Sequence, residues 1–159
     1  MYLHSALLIT YLRPEEDKEI ASEQFNERTT GIIYTPHGIP PSALTPLKTS
    51  NPRVKTICLI HGLNRVRVGP IKINLGVSNG IQLQRELRAK YWVRCHDEKK
   101  YRSGLVAWLQ KDYDGTVADA IDQDLRAGLD ENDTGYIEVG NGERLTLSCE
   151  GVHFKGYLL

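Results

Sequence analysis

Three of the five histidines stand where a sheet protein places its chemistry. His37 lies in "IIYTPHGI", His61 in "TICLIHGL" and His96 in "YWVRCHDE", each at or just past the end of a run that reads as a strand. Open α/β sheets collect their ligands beyond the carboxyl ends of their strands, because loops converge there while the strands fix their origins. Imidazole is the commonest protein ligand for zinc, and Asp97 could add a harder oxygen or orient a neighbouring ring. His96, His37, His61 and Asp97 are therefore the candidate metal-binding set. No HxH or HExxH pair fixes two ligands on one element, so the fold would have to bring the loops together. Taken singly, each residue also has an ordinary reading. His37 suits a tight turn, His61 suits a bond to backbone before Gly62, and His96 suits a partly buried strand end. Asp97-Glu98-Lys99-Lys100 equally reads as a solvated turn whose acids lead into a helix.

Other chemistries find less support. Ser5, Ser103 and Cys95 have no base at a telling spacing, which leaves a nucleophilic triad without a frame. "GVSNG" lacks the Lys followed by Ser or Thr of a phosphate loop. Arg65, Arg67 and Lys72 form a small basic patch, read as solvated. His4 and His153 fall inside strands and are read as structural.

The elements that must position these residues alternate along the chain. Ser5 to Leu12 is an apolar run without clean alternation, expected to be a central strand covered on both faces. Residues 14–29, charged and poor in large apolar groups, are expected to be a mobile loop or short helix. Gly31 to Tyr34 forms a strand stopped by Pro36, and Ser42 to Asn51 a loop or one helical turn. Val54 to Ile60 is a buried strand. Ser78 or Asn79 would cap a helix with Leu83 and Leu87 on one face, and Tyr91 to Cys95 forms the next strand. A second helix is predicted over Gly104 to Gln110, and a third carries Val117, Ile121 and Leu125 before Gly128 ends it. Asn141-Gly142, between alternating apolar runs, predicts a carboxyl-terminal hairpin over 134–159. The fold class that follows is a layered α/β (α+β) protein: a mixed sheet, helices on one face and a terminal β-hairpin.

The chain has 159 residues, which suits one domain spanning 1–159 with a core that needs no covalent staple. Lys plus Arg and Asp plus Glu number 20 each, so no net field draws the protein to nucleic acid or a membrane. Cys58, Cys95 and Cys149 are widely spaced and outside any CxxC arrangement, as expected of reduced, buried thiols in a cytoplasmic protein. The opening "MYLHSALLITYL" lacks a basic leader and reaches Arg13-Pro14 too early for a membrane span.

Together "IIYTPHGI", "TICLIHGL" and "IKINLGVSNGIQLQRELRAKYWVRCHDEKKYRSGLVAWL" resemble the carboxyl-terminal half of a metallo-β-lactamase-fold protein, of the lactonase-like branch and its uncharacterised fungal relatives. The likeness runs roughly from Ser5 to Leu109 and is most specific in "NLG…G…YWVRCHDE". It implies half of an αββα sandwich, with metal, usually zinc, held at the sheet edges between two similar halves. His96 in "CHDE" then matches a metal-binding histidine after a late strand. His37 stands where many members carry a metal-bridging aspartate, and His61-Gly62 matches a loop facing the site. The family's first-half HxHxDH motif does not occur here. The resemblance therefore implies a hydrolase-like chain, acting on an ester, lactone or phosphodiester as small-molecule substrate, whose zinc site is finished by a complementary half or by a second copy in a homodimer. The alternative is a non-catalytic remnant that serves as a binding or assembly module. A third reading is a small independent metal enzyme using His37, His61, His96 and Asp97 alone.

Overall fold

A computed structural model of the chain describes residues 4–12, 29–50, 54–98, 103–126, 134–140, 142–148 and 152–157. Its strands, in chain order, are β1 (Leu7–Leu12), β2 (Thr29–Thr35), β3 (Val54–His61), β4 (Arg65–Val68), β5 (Ile71–Leu75), β6 (Tyr91–Arg94), β7 (Gln110–Tyr113), β8 (Gly135–Ile137), β9 (Glu143–Leu147) and β10 (Val152–Tyr157). The helices are α1 (Thr45–Lys48), α2 (Val77–Leu87), α3 (Leu105–Leu109) and α4 (Val117–Arg126), with a 3-10 turn at Pro41–Leu44.

Among the described residues the main sheet has five strands in the order β1-β2-β3-β6-β8. β1 runs antiparallel to β2, and the remaining neighbours are parallel. Three crossovers join the parallel neighbours, as parallel pairing requires: β2 to β3 carries the 3-10 turn and α1, β3 to β6 carries α2, and β6 to β8 carries α3 and α4. The last two also lend strands to a second, antiparallel sheet ordered β5-β4-β7. β4 starts just after β3 ends, so this small sheet springs from the carboxyl end of the large one.

One face of the main sheet carries the principal core. Ile33, Leu59 and Trp92 pack there against Val77, Ile81 and Leu83 of α2 and Ala120 of α4. Gly80 allows the close approach, since a Cβ at that position would stand 2.2 Å from the Trp92 ring. Thr116 and Asp119 close the first turn of α4 reciprocally: Asp119 N–H donates to Thr116 Oγ1 at 3.1 Å, and Thr116 N–H donates to Asp119 Oδ2 at 2.8 Å. The Thr116 hydroxyl, which donates to Asp119 Oδ2 at 2.7 Å, and then the Thr116 N–H favour the ionised form and hold the Asp119 carboxyl below its ordinary range. Behind the sheet, Cys58, Tyr91 and Ile137 form a second cluster with Leu145 and Leu147 of β9. Tyr91 Oη donates to the Ser148 carbonyl at 2.9 Å and ties β9 to that face.

Several expectations are corrected. The first strand is an edge strand, not a central one: Leu7, Ile9 and Tyr11 are exposed on one face, beside exposed Tyr34 of β2. An unbroken apolar run does not distinguish two-sided cover from an apolar face left open. Asn141-Gly142 does not join two paired strands, because β8 adds to β6 in the main sheet and the hairpin is formed by β9 with β10. Asn141 itself lies outside the described residues. Helix α2 has Gly76 at its amino cap with no side-chain cap bond, so neither Ser78 nor Asn79 caps it. The predicted helix at Gly104 to Gln110 is the shorter α3, and Gln110 opens β7, which pairs with β4. The basic patch lies on the β4-β5 hairpin, where Arg65 stacks over the Tyr113 ring at 4.3 Å. His4 precedes β1 rather than lying in it. The stretch 14–28, Gly128 and Cys149 lie outside the described residues, and Thr29 begins β2. The mixed sheet with helices on one face agrees with the α/β reading. Among the described residues no helix is long and apolar enough to cross a membrane.

Candidate functional site

The register of the parallel strands decides what meets at their ends. Thr35 of β2 pairs with His61 of β3, and His61 pairs with Arg94 of β6, so three strand ends lie in one row. His37 and His96 each follow their strand end at the same short offset. β2 and β6 flank β3 on either side, roughly 9–10 Å apart at the usual strand spacing. Both loops lean inward over the end of β3, and the two imidazoles meet edge to face with centroids 4.8 Å apart and planes at 86°.

Glycine makes that convergence possible. A Cβ on Gly62 would stand 2.6 Å from the Pro36 carbonyl oxygen and 3.2 Å from that of Cys95, so both flanking loops rest where a side chain would otherwise project. Gly38 turns the chain back with φ +83°, and a Cβ there would stand 2.3 Å from Asn79 Oδ1. His96 adopts the left-handed region with φ 57°, an uncommon conformation for a residue with a side chain.

The partners of each ring set its chemistry. His37 Nδ1 donates to Asn74 Oδ1 at 2.5 Å, and the His37 carbonyl accepts from Leu75 N–H at 3.0 Å. An amide oxygen accepts only, so in the neutral ring the proton sits on Nδ1 and the lone pair on Nε2. This is the tautomer that metal-ligating histidines take when a fixed oxygen holds the opposite nitrogen. His96 Nδ1 lies 3.9 Å from Glu98 Oε2.

His61 is fully buried beneath the pair. Its Nδ1 lies 2.5 Å from the Gly62 carbonyl and its Nε2 3.2 Å from Asn79 Oδ1, while Asn79 Nδ2 donates to the Ile39 carbonyl at 2.9 Å. Trp92 meets the ring edge to face at 5.6 Å and donates from Nε1 to the His61 carbonyl at 3.2 Å. Burial pushes the His61 imidazolium below its ordinary range, against its bonds to Asn79 and Gly62 and the charge of Asp97. His61 and Asn79 thus tie β3, α2 and the loop after His37 into one unit.

Asp97, with a side chain only 2 % exposed, closes the turn after β3. It accepts from Leu63 N–H at 2.9 Å and from Asn64 N–H at 2.7 Å, and Arg94 Nε lies 3.3 Å away. Arg94 reaches Glu138 as well, and chiefly that bond holds its guanidinium above the usual range. Asn64 Oδ1 in turn accepts from Gly115 N–H at 2.8 Å, which brings the connection before α4 against the site. Burial pushes the Cys58 and Cys95 thiols up to about 12, with the charges of Asp97 and Glu98 adding to the rise at Cys95. Neither thiol is a ready nucleophile or ligand near neutral pH.

Comparison with protein-family models, curated proteins and solved structures finds no match for this chain. Its function must be argued from these side chains.

The four candidates gather at one end of the sheet, yet they differ in what they face. His37 and His96 face each other, His61 faces two protein oxygens, and Asp97 faces backbone amides and a guanidinium. Among the described residues no group of three or more His, Cys, Asp or Glu side chains is placed to hold a metal ion. Sequence reasoning missed Asn74 as a partner and took Asn79 for a cap. Asn74 in "IKINLG" carried a signal, because a polar residue near the end of an apolar strand needs a partner once buried.

Proposed function

We propose that this chain supplies one half of a metal-dependent hydrolytic site of metallo-β-lactamase type, acting on an ester, lactone or phosphodiester, with His37 and His96 as its imidazole donors. The observation that carries this reading is the 4.8 Å meeting of those two rings over the end of β3, with Asn74 fixing the tautomer of His37. Two imidazoles fit the donor chemistry of zinc, and further donors would come from a complementary half or a second copy. A bound ion would supply Lewis acidity and lower the pKa of its water toward neutrality. In this reading His61 and Asp97 are positioning residues. His61 anchors the His37 loop through Asn79 and Ile39, and Asp97 sets the turn that carries Gly62 beneath both rings.

The exposed edge of the sheet supports the same reading. Helices cover one side and β9 packs on part of the other, whereas Leu7, Ile9, Tyr11 and Tyr34, at the β1-β2 edge of that second side, remain exposed where a partner could pack. The chain's neutral balance of charge places no net repulsion between two copies. A cytoplasmic setting accords with the reduced state of Cys58 and Cys95.

A second reading is a non-catalytic binding or assembly module. It is favoured by the full engagement of His61 and Asp97 with protein groups, which leaves two imidazoles rather than a complete ligand set.

Metal content, oligomeric state and turnover of lactone, phosphodiester and β-lactam probes, measured on one preparation, separate the two. The hydrolase reading expects zinc bound in a fixed ratio and lost in His96→Ala with the circular dichroism unchanged. Absence of both metal uptake and turnover in the wild-type protein leaves the module.

A further inference from the structure

The second sheet carries three cations side by side. Arg67 of β4 pairs in register with Lys72 of β5 on one side and with Lys111 of β7 on the other. Like charges directly opposite one another in an antiparallel pair are destabilising, and here two such pairs share one residue. Pleating puts the row on the outer face: Val66 and Asn74, paired on the opposite face, are buried, whereas Lys72 and Lys111 are exposed. Arg65, two residues before Arg67, shares the outer face and lies over the Tyr113 ring.

Nothing in the sheet neutralises this row. Among the described residues, Arg67, Lys72 and Lys111 have no carboxylate partner, and Arg67 Nε, shielded from solvent, has no hydrogen-bond acceptor. Asp112 is the only acid in the three strands. It pairs with Val66, so the pleat turns it to the face opposite the row, where it accepts from Gln110 Nε2 at 2.6 Å. Paired residues stand about 4.5–5.5 Å apart at Cα, inside the screening length of roughly 8 Å at physiological salt, so the three cations attract as a unit. The chain is neutral as a whole, and the positive excess is local.

Beside the row stand apolar groups left in water. Helix α3 runs directly into β7, and Gly69 N–H in the β4-β5 turn donates to the Leu109 carbonyl at 3.1 Å, which fixes α3 next to that turn. At this junction Leu105 and Trp108 are 74 % and 79 % exposed, and Leu109 and Ile71 are exposed as well. Indole and aliphatic groups beside unneutralised cations fit the two layers of an anionic lipid surface, the acyl boundary for the first and the phosphates for the second. A nucleic acid backbone would meet the cations but offers no apolar layer to Leu105, Leu109 and Ile71. We infer that this end of the second sheet docks on the surface of an anionic phospholipid bilayer, with Arg67, Lys72 and Lys111 at the phosphates and Leu105 and Trp108 in the interfacial layer. The docking is peripheral, and it does not depend on metal at His37 and His96.

The test is sedimentation of the full chain with vesicles of phosphatidylcholine, alone or mixed in equal parts with phosphatidylglycerol. The expected result is capture on the mixed vesicles that weakens as salt is raised, at least about tenfold weaker capture on phosphatidylcholine alone, and a blue shift of Trp108 emission on the mixed vesicles. Lys72→Glu combined with Lys111→Glu should weaken capture at least about tenfold, and Trp108→Ser should weaken it as well, each with unchanged circular dichroism. Should the double variant fail to fold, the two single charge reversals carry the same test. Three results would overturn the proposal: no capture on either vesicle, equal capture on both, or unchanged capture in the folded charge variants or in Trp108→Ser. Tighter binding of a single-stranded oligonucleotide than of the mixed vesicles gives a fourth, since it would assign the row to a nucleic acid backbone.

Discussion

The imidazoles of His37 and His96 touch edge to face at 4.8 Å although each belongs to a different strand, with β3 between them. Two loops separated by a whole strand meet only if something draws both inward, and the structure identifies Gly62, Asn74 and Asp97 as what does so.

Asn74→Ala removes the acceptor from His37 Nδ1 and frees the ring to change tautomer. Under the proposed function, zinc affinity falls about 10–100-fold, as loss of an outer-shell partner typically costs. Competition with a chromogenic chelator measures this, and the variant should keep wild-type circular dichroism.

Gly62→Ala places a Cβ against the Pro36 carbonyl and close to that of Cys95. Both atoms are backbone, so the loops themselves must part. A destabilisation of about 1–3 kcal/mol in urea unfolding is expected, the usual range for overpacking. In the folded variant the His37 and His96 ring resonances should lose their mutual ring-current shifts.

Asp97→Ala strips the acceptor from two backbone N–H groups in a buried turn. Each buried unpaired donor costs about 1–3 kcal/mol, so for the two together unfolding free energy should drop by roughly 2–6 kcal/mol. Asp97→Asn retains one acceptor oxygen and should lose less. An equal loss in the two variants would show that charge, rather than acceptance, holds the turn.

His61 has its folded-state pKa depressed, chiefly by burial. The unfolded chain takes up a proton near pH 6.5 that the native chain resists, so stability is retained above that pH and declines as pH falls below it. The decline from this one group approaches at most about 1.4 kcal/mol per pH unit. Urea midpoints compared between about pH 7.5 and about pH 5.5 should fall more steeply in the wild type than in His61→Gln, whose side chain does not titrate.

Leu7, Ile9 and Tyr11 present an uncharged face on the edge strand. If a second copy covers it, Ile9→Lys should shift the sedimentation profile to monomer without loss of helical signal. Identical profiles in wild type and variant would remove that face from the assembly.

Much of the site's placement was legible from sequence, because strands that stop at Pro36, Gly62 and His96 put three histidines at three strand ends. The apolar runs at Gly31 to Tyr34 and Val54 to Ile60 are strands as read, and Leu83 faces the core as its spacing with Leu87 indicated. What sequence could not show was set by pairing at a distance. The role of β1 depends on which strand β2 accepts on its other side. The Asn141-Gly142 signal favours a local turn, but β8 finds its partner in β6, more distant in sequence. Asn79 has the side chain of a helix cap, and only the nearness of Ile39 and His61 assigns it to bridging two elements. His61 and His96 look alike in sequence, and the difference between a sealed ring and one at the mouth is purely tertiary.

The two tryptophans divide the light between them. Trp92 is 1 % exposed and lies against His61, whereas Trp108 is 79 % exposed on α3. Excitation of the native protein should give a blue-shifted emission band from the first and a red-shifted one from the second, and only the red one should be open to quenching by iodide. Because an imidazolium quenches indole at contact, dimming of the blue band on acidification would report proton uptake at His61 before the chain unfolds.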